Sequence, residues 1–139
     1  MELKLMPVAK ALGISELLKK FPYEISGGQK QRTACARAII TDPKIFLADE
    51  PTGALDSKAS DELLKLFEKI NARGQTILMV THSVKAASHA KRVLFIRDGT
   101  VFHQIYRGEH TADEEYRRIA EALTAISARV PGDDGGESA

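Results

Sequence analysis

Two apolar segments separated by an amphipathic helix constrain the fold of this chain more than any other part of its sequence. Residues 45–48 (Ile-Phe-Leu-Ala) are continuously apolar, and Thr76 is followed by the apolar run 77–80 (Ile-Leu-Met-Val), a pattern typical of strands buried on both faces of a parallel sheet. Ser57 is the predicted N-cap of the intervening helix, and Gly74 ends it. Its apolar positions recur at helical spacing: Leu63, Leu66, Phe67 and Ile70. This order predicts an α/β fold with a partly parallel sheet flanked by helices.

Further helices precede this unit, and a hairpin and a helix follow it. Three helices are predicted before it: a short one over 8–12 with Pro7 in its first turn, a second over 16–20 capped by Ser15, and a third from about 28 to 40. After it, a strand over 93–96 is predicted to turn at Asp98-Gly99 into a strand over 101–106. An amphipathic helix over 112–127 follows the hairpin. The Gly-rich acidic segment 131–139 is expected to be a disordered tail, which leaves 1–130 as one domain.

Composition excludes several classes of protein. Of the 139 residues, 43% are hydrophobic and 28% are charged, which is sufficient for a core and is not typical of a disordered or fibrous chain. The net charge of +1 and the 6% aromatic content give no electrostatic or stacking argument for a nucleic-acid partner. Cys35 is the only cysteine, so no internal disulfide forms. No apolar run approaches the ~18 residues of a membrane span, and the charged N-terminus does not resemble a signal peptide.

Two adjacent carboxylates, Asp49 and Glu50, follow the first apolar strand. Ligands of α/β sheets bind beyond the carboxyl ends of the strands, which is where this pair is expected. An Asp in this place can hold Mg²⁺ bound to phosphates, and the Glu beside it can orient or activate a water. Pro51 is expected to restrict Glu50 to an extended backbone. The alternative is a capping Asp followed by a surface Glu.

Two further polar segments are candidates for phosphate contacts. His82 follows the second strand and is expected at the same crevice, where its ring can donate to a phosphate oxygen; the alternative is a histidine satisfied by a nearby carbonyl. Ser26, Gly27, Gly28 and Gln29 open the third helix, where uncovered N–H groups and the helix dipole favour an anion. The alternative for this segment is a simple helix cap.

Together these motifs resemble a known family. Ile25-Ser-Gly-Gly-Gln-Lys-Gln-Arg32, Ile45-Phe-Leu-Ala-Asp-Glu-Pro51, Ala54-Leu55-Asp56 and Thr81-His82, in this order and spacing, resemble the ATP-binding subunit of ABC transporters from about residue 12 to residue 108. The resemblance implies an ABC-type P-loop NTPase domain whose cofactors are ATP and Mg²⁺.

The resemblance also implies a role for each motif. Ser26 to Gln29 correspond to the signature loop, which grips the γ-phosphate of ATP held by a second copy of the subunit. Asp49 corresponds to the aspartate on Mg²⁺, Glu50 to the catalytic glutamate and His82 to the switch histidine. Asp56 belongs to the D-loop.

The subfamily and its partners are implied in the same way. The segment 51–57 is similar to the group that includes lipoprotein-releasing, macrolide-exporting and peptide-antibiotic transporters, and 86–99 with 104–108 is similar to bacitracin-type resistance transporters. This similarity implies a transmembrane permease as partner and a cytoplasmic location on the inner face of the membrane. The permease would handle the transported substrate, with no direct contact from this chain.

One motif of the family is missing. The sequence contains no Gly-Lys dipeptide and therefore no G-x-x-x-x-G-K-[ST] phosphate loop, which precedes the signature in the family. The resemblance then implies the C-terminal half of the domain, with ATPase activity in a complete parent and no MgATP binding by this chain alone. Lack of the P-loop strand is expected to expose one side of the core.

Two other functions remain as alternatives to a transporter ATPase. One is a non-catalytic binding or dimerising module, and the other is a soluble ABC-type ATPase of DNA repair or translation.

Overall fold

The computed structural model describes residues 2–128, and the predicted tail over 131–139 lies outside them. The chain divides between His82 and Ser83 into two compact units. The first contains α1 (Glu2–Ala11), two short 3₁₀ helices (Ser15–Lys19 and Pro22–Glu24), α2 (Gly27–Ile39), β1 (Ile45–Asp49), α3 (Ser57–Ala72) and β2 (Thr76–Val80). The second contains α4 (Val84–Ala87), β3 (Arg92–Arg97), β4 (Thr100–Tyr106) and α5 (Ala112–Ala128). Among the described residues, no helix is long and apolar enough to cross a membrane.

The βαβ unit predicted from the sequence is confirmed. β1 and β2 pair in parallel, from Ile45 opposite Thr76 to Asp49 opposite Val80. The predicted cap of the connecting helix is wrong by one residue. Asp56 takes the N-cap position, where its extended backbone (φ −66°, ψ 169°) lets the carboxylate accept the N–H of Ala59 at 2.8 Å.

Only one face of the β1–β2 sheet is buried. Phe46 and Ala48 are 5% and 8% exposed and belong to a core that includes Leu63 and Phe67 of α3. On the opposite face, four apolar side chains are more than half exposed: Ile45 54%, Leu47 70%, Leu78 53% and Val80 59%. The prediction that these strands are buried on both faces is therefore wrong for this chain, whereas the expected exposure of one side of the core is observed. We call these four side chains the open face.

The N-terminal helices differ from the sequence prediction. α1 begins at Glu2 and contains Pro7 in its interior, rather than beginning beside it. It ends as predicted before Gly13, whose φ of 65° suits a residue without a Cβ. The next helix is a 3₁₀ turn whose N-cap is Ile14 without a side-chain cap, not Ser15. Ile14 takes that place because it is 3% exposed in the core and its N–H donates to the carbonyl of Ala9 at 2.9 Å.

The second unit is a hairpin packed with a helix. β3 and β4 are antiparallel, and the predicted turn is confirmed: Asp98 and Gly99 have φ of 52° and 74°, as a tight two-residue hairpin turn requires. Buried side chains of both strands and of α5 form its core: Phe95, Ile105 and Ile119. Arg118 links helix to hairpin, because its Nη1 donates to the fully buried Glu115 carboxylate at 2.6 Å and to the Tyr106 carbonyl at 3.0 Å.

Candidate functional site

The backbone of Glu50 makes a sharp turn at the carboxyl end of β1. Its φ is 43°, in the left-handed region, so the extended backbone predicted from Pro51 is wrong. Two hydrogen bonds hold the turn: the N–H of Glu50 donates to the carbonyl of Val80 at 2.8 Å, and the N–H of Gly53 donates to the carbonyl of Glu50 at 3.0 Å. A non-glycine residue in this region costs on the order of 1–3 kcal/mol, and such strain is concentrated at functional sites.

The carboxylate of Glu50 is fixed by the end of β2. Its Oε2 accepts the hydroxyl of Thr81 at 3.1 Å, and its Oε1 accepts the N–H of His82 at 2.7 Å. The His82 ring is 99% exposed, with Nε2 3.9 Å from Oε1 of Glu50. The structure thus brings together the two strand ends that the sequence placed at one crevice. No role for Thr81 was predicted; its position beside His82 was the only signal.

Asp49 ends β1 with an exposed side chain on the same side of the sheet as the open face. Within residues 2–128 there is no group of three or more His, Cys, Asp or Glu side chains that could hold a metal ion alone. Mg²⁺ does not require one, because it commonly binds proteins through one or two carboxylates and takes its remaining ligands from water and phosphate oxygens. An accessible Asp49 next to a fixed Glu50 fits that kind of site.

The N-terminus of α2 is closed by a capping box. The Ser26 hydroxyl accepts the N–H of Gln29 at 3.2 Å, and the Gln29 side chain accepts the N–H of Ser26 at 2.9 Å. The cap left open as an alternative is therefore present. It does not exhaust the anion-binding capacity of this end, because the N–H groups of Gly27 and Gly28 lie in the first turn, where no intrahelical acceptor exists. The hydroxyl proton of Ser26 also remains able to donate.

The two glycines of this helix lie against residues 54–56 and α3. A Cβ added at Gly27 would be 3.6 Å from Leu55, and one added at Gly28 would be 3.1 Å from the Cβ of Ala59. Asp56, between those two residues, caps α3 through the N–H of Ala59, as described above. The start of α2 and residues 54–56 are thus neighbours.

A polar contact connects α2 with the Glu50 turn. Nε2 of Gln31 donates to the carbonyl of Pro51 at 3.1 Å, and Nη1 of Arg32 lies 3.3 Å from Oε2 of Glu62 on α3. No signal in the sequence distinguished Gln31 from a solvated helix position.

Cys35 lies on the same helix and is buried. Burial raises the pKa of its thiol to about 11, so the thiol stays protonated at neutral pH and Cys35 serves packing rather than chemistry.

We predict that Gly28→Ala destabilises the chain relative to Gly27→Ala by about 1 kcal/mol. Both changes favour the helix equally through backbone entropy, but only the methyl group at position 28 enters a contact tighter than ordinary van der Waals packing, at 3.1 Å from Ala59. Urea denaturation followed by circular dichroism measures the difference. The double variant Gly28→Ala/Ala59→Gly is the control and is expected to recover part of the loss. Equal midpoints for the two single variants would contradict this packing.

Comparison with known proteins agrees with these motifs. Residues 2–53 match the family model described as ABC transporter. The bacitracin export ATP-binding protein BceA of Halalkalibacterium halodurans is 48% identical over 84% of this chain and 46% of its own length. The macrolide export ATP-binding/permease protein MacB of Hyphomonas neptunium is 47% identical over 84% of this chain and 18% of its own length.

A solved structure extends the comparison to the fold. The dimeric structure of MJ0796, a bacterial ABC transporter cassette, matches with a TM-score of 0.62 and 37% identity over 74% of this chain and 45% of that chain. A second structure of MJ0796 is described as a post-hydrolysis state bound to ADP and Pi. The chain spans about half the length of these ATP-binding relatives, BceA and MJ0796. Sequence, fold and site motifs agree, and the chain belongs to the ATP-binding domain family of ABC transporters.

Proposed function

We propose that this chain supplies the catalytic carboxylate and the signature segment of an ATP-hydrolysing ABC transporter subunit. The observation that carries the proposal is the Glu50 carboxylate, held beyond two parallel strands by Thr81 and by the backbone of His82, beside an accessible Asp49. A fixed carboxylate next to a potential Mg²⁺ ligand is the arrangement that phosphoanhydride hydrolysis by an activated water requires.

Each residue contributes a separate step. Asp49 would bind Mg²⁺, which when present neutralises charge on the phosphate oxygens. Glu50 accepts the proton of the attacking water; each of its oxygens accepts one hydrogen bond and retains a lone pair for another. The exposed ring of His82 can reach a phosphate oxygen as a donor. Its backbone N–H meanwhile keeps the Glu50 carboxylate oriented.

The signature segment would act on ATP bound by a second subunit. Gly27, Gly28 and the Ser26 hydroxyl present donors at the positive end of α2, which suits a terminal phosphate. Asp56 would contribute from the adjacent D-loop, which lies close enough to the start of α2 that a Cβ added at Gly27 would be 3.6 Å from Leu55. The dimeric structure of MJ0796 supports a paired arrangement of this kind.

The nucleotide itself requires a phosphate-binding loop that this sequence does not contain. We therefore propose that ATP binding belongs to a complete domain of which this chain forms about half. The N–H groups and lysine of such a loop hold the β- and γ-phosphates, and without them Asp49 and Glu50 face no bound nucleotide in their own half-site.

We further propose a role in export of, or resistance to, bacitracin-like antimicrobial peptides. The similarity to BceA supports this substrate class, and the similarity to MacB, in which ATP-binding and permease functions are named together, supports a membrane permease as partner. The subunit would then act at the inner face of the membrane. It would not contact the transported peptide.

A chimeric protein tests the proposed activity. The half of BceA that this chain does not match is fused ahead of it, and MgATP binding by calorimetry and phosphate release are measured for the chimera and for this chain alone. We expect turnover and binding in the chimera and no micromolar binding by the chain. Binding without turnover would favour the second candidate, a non-catalytic module. Micromolar MgATP binding by the chain alone would contradict the division of the site between two halves.

A further inference from the structure

Gln31 joins α2 to the turn that carries Glu50. Its Nε2 donates to the carbonyl of Pro51 at 3.1 Å, across 20 positions of the sequence. Gln31 is half-buried and Pro51 is buried, so the bond is partly shielded from water. A shielded hydrogen bond holds its two groups firmly, because solvent does not readily replace a lost partner. None of the proposed catalytic steps uses this side chain.

The two glycines at the start of α2 explain why a glutamine reaches this carbonyl. Gly28 and Gln31 are three residues apart and therefore lie on the same side of the helix. A Cβ added at Gly28 would be 3.1 Å from the Cβ of Ala59, and one added at Gly27 would be 3.6 Å from Leu55. Because these two positions carry no side chains, α2 lies close to the segment that follows β1, and the glutamine amide spans the remaining distance.

The turn that Gln31 contacts has a backbone conformation that its surroundings must hold. Glu50 has a φ of 43°, and a non-glycine residue stays in this region only where neighbouring contacts keep it there. The carboxylate of Glu50 is held from the end of β2, by the hydroxyl of Thr81 and the N–H of His82. The next residue, Pro51, is held instead from α2. Two separate elements of the unit thus support the turn.

We infer that Gln31 is a positioning residue for Glu50. By holding the carbonyl of Pro51, it keeps the Glu50 carboxylate in the orientation in which it accepts a proton from water. The inference rests on the proposed function and adds to it a residue that acts on the reaction through Glu50. Because a base must stay within hydrogen-bond reach of the attacking water, loss of the Gln31 donor lowers turnover and leaves ATP binding unchanged.

Substitutions at Gln31 separate the hydrogen-bond donor from the size of the side chain. Gln31→Met has nearly the same length and no donor, and Gln31→Glu has the same shape but, when ionised, accepts and cannot donate. Gln31→Lys keeps a donor on a side chain long enough to reach the carbonyl. Arg37→Met, at an exposed position of the same helix, is the control. Circular dichroism verifies that each variant is folded.

Hydrogen exchange of this chain, resolved by NMR, tests the inference without nucleotide. The N–H of His82 reports on the Glu50 carboxylate and the N–H of Gly53 on the turn, because each donates to Glu50. We expect both to exchange at least about fivefold faster in Gln31→Met and Gln31→Glu, and within about twofold of the parent rate in Gln31→Lys and Arg37→Met. Unchanged exchange in Gln31→Met, or equal acceleration in Gln31→Lys, would overturn the inference.

Turnover of the BceA chimera gives a second readout. Gln31→Met and Gln31→Glu are expected to lower kcat by at least about tenfold and to leave KM for ATP within about twofold, whereas Gln31→Lys retains most of the turnover. A raised KM with unchanged kcat would assign Gln31 to binding and overturn the inference. An active chimera that tolerates Gln31→Met rejects only the positioning role. A parent chimera that does not hydrolyse ATP rejects the ATPase role, and the exchange rates then decide on Gln31 by themselves.

Discussion

Glu50→Gln in the BceA chimera is expected to lower ATP turnover by at least about 100-fold and to leave ATP binding intact. The amide has nearly the shape of the carboxylate, and its oxygen can still accept the N–H of His82 or the hydroxyl of Thr81, so the turn after β1 is retained. What is lost is the ability to accept a proton from water. Steady-state phosphate release gives turnover, and calorimetry gives nucleotide affinity. Unhydrolysed ATP should accumulate on a dimer of the chimera, which sedimentation velocity would detect.

Glu16→Gln is the matched control, because Glu16 is an exposed carboxylate of the same unit, on the short 3₁₀ helix Ser15–Lys19, and no role in the site is proposed for it. It is expected to leave turnover within about twofold of the parent chimera. If Glu50→Gln also left turnover unchanged, Glu50 would not be the base. If Glu50→Gln abolished nucleotide binding as well as turnover, the role of Glu50 would be structural.

Phe67→Ala is expected to have the largest effect on stability, about 3–5 kcal/mol. Phe67 is 6% exposed, and its ring packs edge-on against Phe46 of β1, with centroids 5.6 Å apart and an interplanar angle of 72°. Truncation leaves a cavity between α3 and the buried face of the sheet and removes a favourable aromatic pair. Because small domains have only about 5–15 kcal/mol of net stability, this loss is a large fraction of it, and the urea midpoint followed by circular dichroism should fall steeply.

Leu78→Ala provides the comparison from the opposite face of the same sheet. Leu78 is 53% exposed, so its truncation removes little buried surface and should shift unfolding by no more than about 1 kcal/mol. Phe67→Leu retains most of the volume and keeps the effect measurable if the alanine variant does not fold. A loss for Leu78→Ala equal to that for Phe67→Ala would mean that the open face is covered in the isolated chain.

Much of the first unit was predictable because its determinants are local. The helical spacing of Leu63, Leu66, Phe67 and Ile70 and the apolar runs beside it identified β1, α3 and β2 within a residue or two. The Asp98-Gly99 turn was predictable for a similar reason, since few residue pairs adopt two positive φ values. The caps were less predictable. Asp56 and Ser57 are both good capping residues, and the path of the chain into the helix decides between them.

The sequence was sufficient to place Asp49, Glu50 and His82 at one site, although not Thr81 or Gln31, because strand ends in a βαβ unit must meet at one edge. Tertiary structure decided three things that periodicity does not encode. It put Glu50 in the left-handed region, fixed its carboxylate with Thr81 and the backbone of His82, and left one face of the sheet uncovered. The conformation and hydrogen bonds of Glu50 depend on contacts between residues about 30 positions apart in the sequence. The uncovered face depends on whether another layer is present, and an apolar run has the same sequence whether one or both of its faces are covered.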